Sequence, residues 1–195
     1  MKVVGITGGI GSGKSIVSKL LAIHGIPVYN TDMAAKIICD VSKTVREKLS
    51  ARFGPELYKP YGVLNRQMLA SLIFSDPENR DFVNSVVHPA VEADFLEWKD
   101  TQQDKAWTGV ESAILFESGL KRRIDAGINV SAPLEIRIRR TQKRDHLDRE
   151  AVLSRIRSQM TDEKRNALAD YIFINDDRQA LLPQVENWMK IIKSE

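Results

Sequence analysis

The sequence predicts an α/β domain built on a five-stranded parallel sheet flanked by helices. Two observations carry this. Short apolar runs alternate with longer stretches of helical periodicity, the pattern of a parallel sheet covered on both faces. The first run, residues 2–7, leads straight into Gly8-Gly9-Ile10-Gly11-Ser12-Gly13-Lys14-Ser15. That segment matches G-x-x-x-x-G-K-[ST] in the strand–turn–helix setting the motif needs. A chain of 195 residues suffices for one such domain with a full core and an embedded subdomain.

The elements follow in order. Glycine at 8, 9, 11 and 13 frees the backbone so that several N–H groups turn toward one anion. The helix starting near Lys14 adds the positive end of its dipole. That helix, 14–24, carries Ile16, Val17, Leu20, Leu21 and Ile23 and stops at Gly25, a left-handed cap. A second strand, 26–30, follows at once. Residues 33–52 read as helix in two pieces, and 54–65 as a loop. Helical periodicity returns over 66–74 and 78–100. A break is expected at His88-Pro89, because Pro89 removes a helical hydrogen bond and biases His88 away from α geometry. A third strand lies within 105–116, with Val110, Ala113, Ile114 and Leu115 near its end. A fourth covers 126–131. Pro133 suits the first turn of a helix reaching Arg144. Another helix spans 148–160, a fifth strand 171–174 and a closing helix 178–193.

Composition narrows the function. A net charge of +3 gives no protein-wide field for nucleic acid or a membrane surface. Cys39 is the single cysteine, so no internal disulfide forms, which fits a reducing compartment. No apolar stretch approaches the ~18 residues of a membrane span. The opening residues run directly into the loop, so no leader is expected. The expected location is the cytoplasm.

Phosphate loops serve switches, motors, transporters and small-molecule kinases. The chain has no Asn-Lys-x-Asp guanine reader and no Leu-Ser-Gly-Gly-Gln transporter signature. Its length and even charge disfavour a nucleic-acid-dependent ATPase. A compact kinase remains, in which Lys14 reaches the β- and γ-phosphates of ATP and the Ser15 hydroxyl ligates Mg²⁺. Asp32 follows the second strand, at the edge where ligands of wound sheets collect. It either orients an attacking hydroxyl or caps the next helix. Arg137, Arg140 and Arg144 recur at three- and four-residue spacing on one helix face. With Arg149, Arg155 and Arg157 beyond the turn at 145–148, they form either a solvated face or a closing lid that stabilises a moving phosphoryl group. His88 either faces a cleft or is satisfied at a helix break.

Taken together these residues resemble the dephospho-CoA kinase family over nearly the whole chain. The matching motifs are the loop at 8–15, Asp32, Gly62-x-Leu64-x-Arg66, His88-Pro89 and Leu115-Phe116-Glu117-Ser118-Gly119. Further on come Arg140 with Arg144-Asp145, Arg155-x-x-x-Gln159-Met160, and Lys164 through Ala169-Asp170-Tyr171 to Asn175. The loop alone is generic to kinases; the ordered combination is specific. Two departures stand out, Ala113-Ile114 where the family usually has Pro-Leu, and Ser131 where Asp is common.

The resemblance implies a P-loop kinase fold, a single domain over 1–195 containing a helical substrate-binding insertion at 32–100 and a lid at 139–159. It implies that ATP phosphorylates the ribose 3′-hydroxyl of dephospho-CoA, giving CoA and ADP. The implied catalytic residues are Asp32, Lys14 and Arg140. Gly9, Gly11, Ser12, Gly13, Lys14, Ser15, Ile16, Arg144 and Asn175 would bind ATP, with Ser15 on Mg²⁺. Asp32, Arg66 and His88 would meet the acceptor. Glu111 is a candidate to support the metal from the end of the third strand, or else an ordinary surface carboxylate. The expected state is a monomer or small homo-oligomer with no nucleic-acid or membrane partner. The rivals are another small-molecule kinase of this fold and a non-catalytic nucleotide-sensing module. The latter would not need both Asp32 and an arginine-rich lid.

Overall fold

The structure is a computed structural model and describes residues 1–194. In chain order it runs β1 (Lys2–Thr7), α1 (Lys14–Ile23), β2 (Val28–Asn30), α2 (Thr31–Val41), α3 (Lys43–Phe53), α4 (Arg66–Ser75) and α5 (Pro77–Asp100). It continues with β3 (Trp107–Glu111), β4 (Ala126–Ser131), α6 (Leu134–Asp145), α7 (Arg149–Arg157), α8 (Asp162–Leu168), β5 (Tyr171–Ile174) and α9 (Leu181–Ser194). The chain divides into two compact units, one made of Met1–Asn30 with the chain from Gln102 onward, the other Thr31–Thr101.

The first unit holds a five-stranded, all-parallel sheet in the order β2-β3-β1-β4-β5. β1 is central, and every residue after Lys2 is buried, as a strand covered on both faces requires. Val4 pairs with Gly109 on one side and Ala126 on the other, which sets the register. α1 and α9 cover this sheet through Val17, Leu21, Val185, Trp188 and Ile192, which cluster with Ile6, Ile128 and Phe173. Trp188 meets Trp107 and Tyr171 edge-on, at centroid distances of 5.7 and 6.3 Å. α1 ends where Gly25 takes φ 87°, the left-handed conformation read from the sequence.

The second unit is helical. Three of its helix starts carry a side-chain cap: Ser42 Oγ accepts from Val45 N, Asn65 Oδ1 from Met68 N and Asp76 Oδ1 from Glu78 N. α5 packs against α2, α3 and α4. Its buried face is Val83, Val86, Val87, Val91 and Phe95, a stripe at helical spacing. Residues 54–65 form two short 3₁₀ turns and an isolated antiparallel bridge, Tyr58 to Leu64.

Three expectations are corrected. α5 passes unbroken through Pro89, because its apolar stripe continues on both sides and packing outweighs the ~3 kcal/mol of an interior proline. β3 ends at Glu111, with a last ladder bond from Ser112 N to Ile6 O at 3.0 Å, and Leu115 is buried in the following turn rather than in a strand. The helix expected over 148–160 stops at Arg157, and α8 appears where no helix is expected.

Candidate active site

The loop between β1 and α1 is shaped by its glycines. Gly11 has φ 77° and Gly13 φ 95°, values that L side chains rarely adopt. Space forbids a side chain as well. A Cβ on Gly11 would lie 2.7 Å from Thr141 Oγ1 and overlap the backbone of Arg137, because α6 is pressed onto the loop there. Gly11→Ala should therefore weaken ATP binding at least tenfold and cost about 1–3 kcal/mol of stability. Titration calorimetry and thermal melts of the variant check both.

Gly13 stands at the N-terminal end of α1, and Lys14 and Ser15 form its first turn. The N–H groups of such a turn lack intrahelical acceptors and carry the positive end of the helix dipole. Lys14 is half-buried; Ser15 and Ile16 are exposed. The Ser15 hydroxyl is a hard oxygen donor beside a polyanion cradle, which fits Mg²⁺, a cation that takes few protein ligands and shares substrate phosphates.

The loop backbone is gripped from outside by residues far away in sequence. Asn175 Nδ2 donates to Ser12 O at 2.7 Å, and Ile10 N donates to Gln159 Oε1 at 2.9 Å. Arg137 Nε donates to Ile10 O at 3.0 Å. Arg140 Nη1 reaches Gly11 O and Ser12 O at 3.4 and 3.5 Å, and its Nη2 donates to Asn175 Oδ1 at 3.1 Å and to Asp177. Ser12 is itself buried. Asn175, expected among the ATP-binding residues, has its amide against the loop backbone.

Of the arginine series, only part lies at the surface. Arg137 is buried, paired with Asp162, and Arg165 of α8 is buried beside it on the same carboxylate. Arg144 is exposed and forks onto Asp145 at 2.7 and 3.0 Å, a carboxylate that Arg155 also contacts at 3.2 Å. The hydrogen bond to Arg144 holds the Asp145 carboxyl below its usual range and raises the guanidinium. A second bidentate pair, Arg149 with Glu135, ties the start of α7 to the start of α6. Glu111 is buried, not a surface carboxylate, and accepts from Asn30 Nδ2 at 3.1 Å.

In the helical unit, Asp32 is exposed in the first turn of α2. Asp32, Lys36 and Asp40 follow at four-residue spacing and so share one face of that helix. Arg66 lies on this face, donating to Lys36 O at 3.1 Å and to Asp40 Oδ2 at 2.5 Å. Partial burial opposes it, but hydrogen bonds from Arg66 and Leu64 N, with the charges of Arg66 and Arg46, hold the Asp40 carboxyl below its usual range. His88 is half-buried on α5, where burial lowers its pKa. Tyr58 lies under the Arg46 guanidinium, and burial pushes its phenol up to about 12.

A model of the dephospho-CoA kinase family matches residues 2–180. The chain belongs to the dephospho-CoA kinase family. It is 40% identical over 182 residues to the dephospho-CoA kinase of Bacteroides fragilis, covering 93% of this chain and 88% of that one. Among solved structures it is similar to TT1252 from Thermus thermophilus, with a TM-score of 0.83 and 37% identity over 99% of this chain and 96% of that one. It is also similar to dephospho-CoA kinase from Campylobacter jejuni, with a TM-score of 0.69 and 27% identity over the same shares. The structure brings together Gly9, Gly11, Ser12, Gly13, Lys14, Ser15, Ile16, Arg140 and Asn175 around the loop, while Asp32, Arg66 and His88 belong to α2, α4 and α5. Asp162 and Arg165 were not among the expected site residues, and Arg137, expected on a solvated face or in the lid, is instead buried against the loop. Gln159 was legible as part of the Arg-x-x-x-Gln motif, whose glutamine now has a physical task on Ile10 N.

Proposed function

We infer that the chain carries the reaction of its family, transfer of a phosphoryl group from ATP to dephospho-CoA to give CoA and ADP, the last step of CoA biosynthesis. The observation that carries the reading is the loop at 8–15, left-handed at Gly11 and Gly13 and set on the first turn of α1 with Lys14 and Ser15. The triphosphate lies over Gly9 to Ile16, with its charge met by backbone N–H groups and the Lys14 ammonium. Ser15 holds Mg²⁺, which supplies charge neutralisation on the β- and γ-phosphoryl oxygens when bound.

Residues 32–100 receive the acceptor. Asp32 holds the ribose 3′-hydroxyl in line, and acts more by orientation than by full deprotonation because the transition state is loose. Arg66 and His88 line the acceptor site. The segment 139–159 acts as the lid, with Arg144 exchanging Asp145 for nucleotide phosphate. Arg140 stabilises the moving phosphoryl group from its place beside Gly11 and Ser12, and Asn175 keeps the loop in shape for the nucleotide. The protein works in the cytoplasm as a monomer or small homo-oligomer, without nucleic acid. Among the described residues no helix is long and apolar enough to cross a membrane.

Release of ADP, measured with ATP and Mg²⁺ beside dephospho-CoA, AMP, adenosine, pantothenate and shikimate, tests the assignment. Turnover should be confined to dephospho-CoA and abolished by a chelator. Turnover on another acceptor alone would place the chain with a different small-molecule kinase.

A further inference from the structure

Two buried guanidinium groups share one carboxylate against the outer side of the loop. The side chains of Arg137 and Arg165 are each 1% exposed, and each donates to a different oxygen of Asp162. Arg137 Nε also donates to Ile10 O at 3.0 Å. Its Nη2, and both Nε and Nη1 of Arg165, are buried with no hydrogen-bond partner among the described residues. Both groups crowd Gly9: a Cβ there would lie 2.5 Å from Arg137 Cζ and 2.8 Å from Arg165 Nη2. Burial pushes the Arg137 guanidinium down, Asp162 opposes this, and the charge of Arg165 adds to it.

Three charged groups therefore sum to one uncompensated positive charge in the wall of the loop. Burying a second arginine on a carboxylate already engaged, with orphaned donors, destabilises a fold. Departures from local rules of this kind gather where function requires them. Neither guanidinium reaches solvent. Their influence passes through the loop: the bond to Ile10 O fixes its backbone, and charge at this depth is little screened by salt.

We propose that Arg137, Asp162 and Arg165 form a buried cationic brace that positions the loop and raises its affinity for the polyphosphate of the nucleotide, at the expense of the stability of the nucleotide-free protein. The three are positioning residues. The proposal rests on the reading of residues 8–15 as the triphosphate site.

The test compares the full chain with Arg165→Met, which leaves Arg137 and Asp162 as a balanced pair. Calorimetry gives Kd for ATP and for inorganic tripolyphosphate, steady-state kinetics give KM and kcat, and melts give nucleotide-free stability. Kd for both ligands should rise at least about tenfold. KM for ATP should rise by more than kcat falls, KM for dephospho-CoA should hold, and nucleotide-free Tm should hold or rise. Arg165→Lys, which keeps the charge, should retain the affinity. Should Arg165→Met fail to fold, Arg137→Gln carries the same expectation for Kd, because it keeps a donor for Ile10 O while removing a charge. Wild-type affinity in the charge-removing variant would overturn the proposal. So would a loss of affinity matched by an equal loss of nucleotide-free stability, which would make the triad a structural brace only. If the wild type binds neither ATP nor tripolyphosphate, it is the reading of the loop that fails.

Discussion

Replacing Lys14 with alanine should lower kcat by at least ~100-fold, the range for removing a preorganised positive group from a developing charge. Lys14 opens α1 at the point where the loop hands over to the helix. None of the neighbouring cations substitutes for it. Arg137 and Arg165 are buried behind Gly9, and Arg140 is held by two loop carbonyls, Asn175 and Asp177. The loss should fall on kcat more than on KM for dephospho-CoA, since an interaction made mainly in the transition state is removed. Melting temperature should stay near wild type, because among the described residues Lys14 makes no side-chain hydrogen bond or ion pair within the fold. Steady-state kinetics beside a melt check the pair of expectations.

Asp32→Asn should be as severe, at least ~100-fold in kcat, although it changes only one atom and one charge. The two readings of Asp32 part here. As the group that orients the 3′-hydroxyl, it loses its acceptor geometry in the variant, and kcat collapses with little change in stability. As an acid in the first turn of α2, it would contribute about 0.3–1 kcal/mol through the helix dipole, and the variant would melt earlier with near-normal kcat. Arg66, bonded to the carbonyl of Lys36 one turn further along α2, keeps a fixed cation on the same helix face in either case.

What the sequence made legible follows from how local the physics is. β1, β4 and β5 appear at their expected bounds, because each is a short apolar run closed by turn residues. β3 was overextended because Leu115 is buried in a turn and mimics a strand residue; a Cβ on Gly5 would overlap it, which shows how closely that turn packs on β1. Pro89 reads as a break in sequence, yet the helix survives because Val86, Val87 and Val91 bury on either side of it. α8 had a usable signal in Thr161 followed by Asp162 and Glu163, a cap with acids in the first turn, and Thr161 Oγ1 does accept from Lys164 N.

The candidate site divides in the same way. The loop residues are contiguous, and their spacing states their chemistry. The supports of the loop are not. Arg137 meets Ile10 across 127 positions and Asn175 meets Ser12 across 163, so no local pattern distinguishes them from surface polar residues. An arginine at helical spacing with two others reads as part of a solvated face or a lid, and only the approach of α6 to Gly11 reveals that one of the three is buried.

The most direct measurement is product analysis after the purified protein is incubated with ATP, Mg²⁺ and dephospho-CoA. Phosphorus NMR with mass spectrometry should find CoA carrying its new phosphate on the ribose 3′-oxygen, with one ADP formed for each CoA. ATP bound but dephospho-CoA recovered unchanged, or a phosphate at any other position, would contradict the account.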